Sequence, residues 1–399
     1  MVQLMMAGVY LKKGDYLRGA YKIRQSWKLF ESEDVDTDSL PTLVYTVEDI
    51  ESFRRSCLWF GKGLFYFFVS LTPPGFLWVL ELIGFTANRQ LGVKLLQDCV
   101  QHGGHRAPAA LLMLLWIESF FFENLETSLE YYEKSITMFP NGSMFYYLGG
   151  YIKRKEGLID EALDIFKQSY NTTESHQMKL ACMYEMGWCY FLKEDWKTAI
   201  KHFEDFLAEQ KGENFKAYCA YQLGICYEIE REREKAIQSF LLVEKWARKH
   251  FTFDQYAKRK SKQYITNGFT PACYILLRLD LLDKSKQHQK LLDFLNSGVE
   301  IEKDTEQWAE CLYLRGRALR ALHRLEEASN DFQAVIDLSH QITHEIYIIP
   351  HSLTELGEIA FENGDTGNAQ KFFDQANTFS HYDFDKPLFR RISKSLDLI

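Results

Sequence analysis

One triplet recurs along this 399-residue chain at a fixed internal spacing, and it restricts the fold more than any other feature of the sequence. Five glycines, Gly150, Gly187, Gly224, Gly316 and Gly357, are each followed twelve residues later by an alanine: Ala162, Ala199, Ala236, Ala328 and Ala369. Four residues beyond each alanine stands a phenylalanine: Phe166, Phe203, Phe240, Phe332 and Phe373. Chance would produce this G-x11-A-x3-F pattern roughly 0.1 times in a chain of this composition. Four residues is about one helical turn, so the alanine and phenylalanine share a face of one helix, and the glycine belongs to the helix before it. Small residues where two helices cross let the backbones approach, and the phenylalanine reads as filling the space between units. Between the two helices the chain carries breakers or charges: Gly157, Glu194-Asp195 and Asn363-Gly364-Asp365.

These are the positions of the tetratricopeptide (TPR) repeat, and Tyr190 and Tyr227, three residues after their glycines, fit the same template. The expected fold is all-α, a TPR-like helix-turn-helix solenoid in which each unit covers the apolar flank of the next. Gly8 and Ala20 keep the spacing without the phenylalanine. A unit around Ser128, Tyr132 and Pro140 lacks the glycine, yet Ser128 precedes Ala162 by the standard TPR period. The long interval from Ala236 to Ala328 must hold one degenerate unit, with helices around 271–283 and 285–296, and an inserted segment. The whole chain, 1–399, therefore reads as one solenoid of several helix pairs. Along it run an N-terminal helical hairpin and acidic loop (1–45), an apolar Pro-Pro segment (46–107) and consecutive TPR units (108–243). A basic segment with the degenerate pair (244–305) leads to two further units and a capping helix (306–399).

Only eight prolines interrupt the chain, and its net charge of −8 gives no general attraction to nucleic acid. Eight cysteines without a C-x-x-C pair, and no secretory signal at the start, point to reduced thiols in the cytosol. The pairs Cys182/Cys189 and Cys219/Cys226 are one arrangement copied twice about Gly187 and Gly224, which marks them as helix-face core residues. No tetrahedral set of ligands is evident, so no metal is expected. His102-Gly103-Gly104-His105 lacks an accompanying nucleophile elbow, and His340 and His344 lack the glutamate of a metalloprotease motif; both read as surface or helix-end features. Neither a phosphate loop nor a dinucleotide fingerprint occurs. The expectation is a protein that is not an enzyme and needs no cofactor.

Residues 63–80 run eighteen positions without a charge, which reaches the length of a membrane-spanning candidate. Pro73-Pro74-Gly75 at its centre favours two short buried helices meeting at the prolines, with membrane contact as the alternative. Glu31 to Asp38 reads as a solvated acidic loop. Residues 245–262 carry seven lysines and arginines against Asp254. They read as a solvated helix, with an anionic partner or lipid surface as the alternative.

G-x-G-L-F at Gly61–Phe65, S-L-T-P-P at Ser70–Pro74 and E-L-I-G-F-T-A-N-R-Q-L-G-V-K-L-L at Glu81–Leu96 resemble the tetratricopeptide repeat protein 39 family. Y-L-R-G-A-Y-K-I-R at Tyr16–Arg24 and Y-D-F-D-K-P-L-F-R-R-I at Tyr382–Ile392 extend the likeness over the whole chain. The resemblance implies a non-enzymatic adaptor, cytosolic or peripheral to membranes, with fungal relatives at the mitochondrial outer membrane. It also implies a helical region ahead of the Y-L-R-G motif, so this chain reads as a short isoform or incomplete gene model. A scaffold joining protein partners, in lipid homeostasis or protein quality control, is the leading expectation. A scaffold attached to the mitochondrial outer membrane or lipid droplets through 63–80 and 245–262 is the alternative.

In such a superhelix the first helix of each pair lines the groove, at positions −3, +1, +4 and +5 from the glycine. Here these include Tyr147 and Tyr151, Tyr184, Trp188 and Phe191, Tyr221 and Ile225, and Tyr313. Tyrosine at −3 departs from the lysine and asparagine of carboxylate-clamp repeats. An aromatic groove suits an apolar or amphipathic helical peptide, unless the rings pack on one another.

Overall fold

The structure, a computed structural model, describes residues 47–71 and 87–396 together with five isolated positions between 18 and 25. The N-terminal hairpin and acidic loop, the Gly8/Ala20 repeat and the Pro73-Pro74-Gly75 turn lie outside the described residues. Among the described residues the chain is all-α and contains no strand. Its contacts divide it into two compact units, 1–149 and 150–399, at a point inside a helix, where the sequence reads as one run.

Unit 1 holds α1 (Val47–Val69), α2 (Arg89–His102), α3 (Ala107–Ile117) and α4 (Leu125–Met138), and α5 (Ser143–Lys155) begins in it. Helices α1 and α2 cross at two glycines. A Cβ on Gly92 would stand 2.6 Å from the Phe67 backbone nitrogen, and one on Gly63 would stand 2.9 Å from Leu96. That closeness buries Phe65, Phe67, Leu96 and Cys99. The described half of the apolar segment is thus the end of one long helix that faces the unit's own core, with Phe68 exposed. No helix of the described residues is long and apolar enough to cross a membrane. Gly149 seats the ring of Tyr132, which gives α4 the small-against-aromatic contact that its own sequence does not announce.

Unit 2 continues with α6 (Ile159–Thr172), α7 (His176–Leu192), α8 (Trp196–Glu209), α9 (Lys216–Ile229), α10 (Arg233–Trp246) and α11 (Thr252–Asn267). Then follow α12 (Pro271–Lys284), α13 (His288–Asn296), α14 (Glu306–Ala321), α15 (Leu325–Asp337), α16 (Ile348–Glu362), α17 (Thr366–Asn377) and α18 (Asp385–Leu396). The repeated triplet does its work inside each pair. A Cβ on Gly150, Gly187, Gly316 or Gly357 would lie 2.7–2.8 Å from the ring of Phe166, Phe203, Phe332 or Phe373, and Gly224 meets Phe240 the same way. The phenylalanine therefore seats on the glycine of its own pair, not in the space between units. The five alanines and the five rings are fully buried, and only a residue without a side chain leaves room for the ring.

Each pair turns through a left-handed residue seven positions after the glycine: Gly157, Glu194, Arg231, His323 and Gly364, with φ from 58° to 82°. The turn between α12 and α13 repeats it at Lys286, φ 56°. Counting back seven places from Lys286 identifies Leu279 as the glycine equivalent, with Leu291 and Leu295 standing for the alanine and phenylalanine. All three belong to one apolar core. The degenerate pair is thus a genuine unit that exchanges a glycine–phenylalanine contact for leucines of middling size, keeping volume roughly constant.

Candidate functional site

Helix α11 is the element that departs from the repeat, and it decides what the groove residues do. Tyr256, Lys260 and Tyr264 stand four residues apart and so share one face. Tyr264 stacks on Tyr221 of α9 with ring centres 6.2 Å apart, and Tyr256 meets the same ring edge-on at 6.0 Å. Phe253 meets Tyr218 at 5.5 Å. At the far end Arg233 donates to the carbonyls of Tyr264 and Ile265, capping the helix's negative end. The inserted helix therefore lies over the α9 positions that a TPR groove would present.

The remaining groove positions are largely occupied by the chain itself. Tyr184 is 1% exposed, stacks on Phe215 at 4.9 Å and donates its hydroxyl to Gln222. Phe191 packs on Trp196 and Phe203, and Tyr313 packs on Tyr347 and His351. Ile225 is buried. Tyr147, in unit 1, and Tyr151, in unit 2, are half-buried, and the Arg154 and Lys155 cations stand near the Tyr151 ring. Of the six groove positions from Tyr184 to Tyr313, Trp188 alone stays partly exposed; Arg154 lies 4.2 Å over its ring. These rings pack largely on one another and on the chain, the alternative to an open groove: the −3 tyrosines Tyr184, Tyr221 and Tyr313 are large enough to reach the adjoining helix and are buried. An alanine triple substitution at Tyr184, Trp188 and Tyr221 would damage the fold along with any binding.

Part of the basic stretch is likewise taken up by the chain. Arg248 pairs with Asp254, Lys258 with Glu244, and Arg259 with both Glu345 and Asp383. Lys260 pairs with Glu345 at 2.8 Å and approaches Glu310 at 3.7 Å. Arg259 and Lys260 thereby tie α11 into unit 2, while Lys245, Lys249 and Lys262 are exposed.

Unit 2 contains an open cavity of ≈ 220 Å³. Trp188, Tyr218 and Tyr221 form one wall, and Tyr256, Lys260 and Tyr264 of α11 form another. Asp280 and Lys284 of α12, Glu306 and Glu310 of α14, and Glu345 and Tyr347 complete it. Burial pushes the Glu310 carboxyl up; Lys260 opposes the rise, Glu345 adds to it, and the result is about 7. Burial would also raise Glu345, but Lys260 and Arg259 outweigh it and hold that carboxyl at about 2. Burial lowers the Lys260 ammonium, yet Glu310 and Glu345 keep it well above its ordinary range. Of this lining the groove reading named Trp188, Phe191, Tyr221 and Ile225, and the reading of the basic stretch named Lys260; most of the rest was missed. The missed signal is the four-residue spacing of Tyr256/Lys260/Tyr264, Asp280/Lys284 and Glu306/Glu310, which puts each set on one face.

The other singled-out groups have ordinary surroundings. His102 lies against Trp59 and His105 against Phe53 in unit 1. His344 approaches Glu306 at 3.1 Å, and His340 approaches the Asp337 carbonyl. Burial raises the thiols of Cys182 to about 11 and of Cys189 to about 12, so they remain protonated near neutrality. Among the described residues no group of histidines, cysteines and carboxylates could hold a metal ion.

Paired helices with a glycine–phenylalanine crossing define a TPR-type helical-repeat protein. The chain belongs to the Iml2/Tetratricopeptide repeat protein 39 family, whose sequence model matches residues 12–282. Among solved structures it is similar to a tetratricopeptide repeat protein from Parabacteroides merdae, with 12% identity and a TM-score of 0.34, over 72% of this chain and 98% of that one. It is also similar to a chain in a structure of Naa15/Naa10 bound to HypK-THB, with 14% identity and a TM-score of 0.29, over 84% of this chain and 43% of that one.

Proposed function

We infer that this protein is a non-catalytic scaffold that holds a protein partner at the aromatic mouth of the unit 2 cavity. The observation that carries the reading is the combination of an open cavity with aromatic side chains left uncovered around it. Trp188 lines the cavity and is partly exposed, while Phe253, 53% exposed, touches the lining residue Tyr218. Phe215, stacked on Tyr184, is 41% exposed. Exposed aromatic groups gathered at a concavity mark interfaces, and rigid rings supply contact area at low entropic cost. An apolar or amphipathic helical segment is the partner class that suits them. Lipid homeostasis or protein quality control is the cellular setting proposed for the scaffold.

The experiment is proximity labelling in cells with the full chain and with a Trp188→Ala/Phe253→Ser variant. Phe253 is exposed, whereas Trp188 also carries the Arg154 cation on its ring, so Phe253→Ser is run alone as well and each variant's thermal melt separates lost binding from lost fold. Recovery of the specific partners should fall about 30-fold, the loss expected when an interface anchor is removed. Equal recovery from the variant would remove the cavity mouth from the binding surface.

A further inference from the structure

The carboxyl groups that face the unit 2 cavity are not equally well partnered. Asp280, Glu306, Glu310 and Glu345 contribute four carboxylates, against the ammonium groups of Lys260 and Lys284. Three of the four are satisfied by the chain. Asp280 binds Lys284 at 2.5 Å. Glu306 accepts the backbone N–H groups of Thr343, His344 and Glu345 at 2.6–3.0 Å. Glu345 receives the Arg259 guanidinium through two bonds and the Lys260 ammonium at 2.8 Å. Glu310 has Lys260 at 3.7 Å, beyond hydrogen-bond length, and shares that cation with Glu345.

Around Glu310 the walls are aromatic: Tyr221, Tyr256, Tyr264 and Tyr347. The chain's own cations show what such walls accept. The Arg259 guanidinium lies 5.4 Å and the Lys260 ammonium 5.9 Å from the Tyr256 ring centre. Ring faces and a buried carboxylate both favour a positive charge, whereas a neutral or anionic guest would leave the carboxylate uncompensated. We propose that the cavity takes a basic side chain, arginine or lysine, from the protein partner, with Glu310 as its counter-ion. This deepens the docking role inferred above and rests on it.

The pairing has a pH signature. The titratable and charged groups that share the cavity with Glu310 are Tyr256, Lys260 and Tyr264 from α11, Cys273, Asp280 and Lys284 from α12, Glu306 from its own helix, Tyr218 and Tyr221 from α9, and His344, Glu345 and Tyr347 before α16, with Arg259 bound to Glu345. Burial raises Tyr221, Tyr256, Tyr264 and Tyr347, so they stay neutral, and Glu345 and Lys260 stay charged. Glu310 ionises near 7, so the cation is held more tightly as pH rises through that value and its entry displaces the proton.

The probe is the capped tripeptide Ala-Arg-Ala, titrated into the full chain and followed by calorimetry, beside its citrulline analogue and free butylguanidinium. Saturable binding of the arginine peptide is expected, tighter at about pH 8 than at about pH 6. Citrulline in the peptide, or Glu310→Gln in the protein, should each weaken it about tenfold or more, while Glu310→Asp keeps most of the affinity. Equal binding of the citrulline peptide, or of the Glu310→Gln protein, overturns the counter-ion role, as does the absence of saturation. Butylguanidinium binding as tightly as the peptide would assign the cavity to a free organic cation and overturn the partner side chain. Partner recovery that depends on Trp188 while no arginine peptide binds would retain the docking site and reject the cation. The converse result would separate the two in the other direction.

Discussion

Phe240→Ala is expected to destabilise unit 2 by about 3–5 kcal/mol, the range for deleting a buried aromatic ring from a core. The ring is 1% exposed and presses on Gly224, where no Cβ would fit. It also touches Tyr221 of α9 and Tyr264 of α11, at 6.5 and 5.7 Å between ring centres. One substitution therefore opens a void shared by α9, α10 and α11, and a repeat array loses neighbouring interfaces along with the damaged one. Urea unfolding of the full chain, followed by circular dichroism, gives the measurement. A shift corresponding to less than about 1 kcal/mol would mean that the ring is not seated as described.

The second large effect is electrostatic. Glu345→Ala leaves the buried Lys260 with only the more distant Glu310, while Arg259 keeps Asp383 alone. Removing one member of a buried pair costs about 3–5 kcal/mol, because the remaining charge is uncompensated. The same group sets the acid limit of unit 2. Glu345 and Glu355, the latter held by Arg391 and Arg320, both have folded values of about 2. These lie below the unfolded value of about 4.3, so their stabilisation is complete above roughly pH 4.5 and is lost as pH falls toward 2. Glu310 acts in the opposite sense. Its folded value of about 7 lies above the unfolded one, so stability declines as pH rises between the two. Thermal melts across this range should show the acid limb flattened in Glu345→Ala and the neutral limb flattened in Glu310→Gln. An unchanged pH profile in both variants would contradict the network.

The repeat was legible because its chemistry is local. A glycine, an alanine and a phenylalanine at fixed spacing specify one crossing, and no distant residue is needed to recognise them. The degenerate pair at α12 and α13 was legible from interval length and from its helices. Its leucines at 279, 291 and 295 carry no recognisable triplet, because the same volume can be divided between two helices in more than one way. The family resemblance was legible from short contiguous motifs read over the whole chain, and the family model matches residues 12–282 of it. Groove and basic stretch misled sequence reasoning, since both depend on contacts far apart in the chain. Nothing near Tyr221 reveals that Tyr264 will stack on it, and nothing near Arg259 reveals Glu345, 86 residues away. The cation count of 245–262 reads as a surface property, whereas Arg259 and Lys260 find Glu345 and Asp383 in the loops before α16 and α18.

The account depends on α11 lying over α9 as part of the fold. Hydrogen–deuterium exchange of the full chain tests this directly, by comparing amides of 252–267 with those of 216–229. Protection of the two segments to a similar degree, about a thousandfold or more over exposed loops, is the predicted result. Exchange of 252–267 at loop rates, while 216–229 stays protected, would show the groove tyrosines uncovered and contradict it.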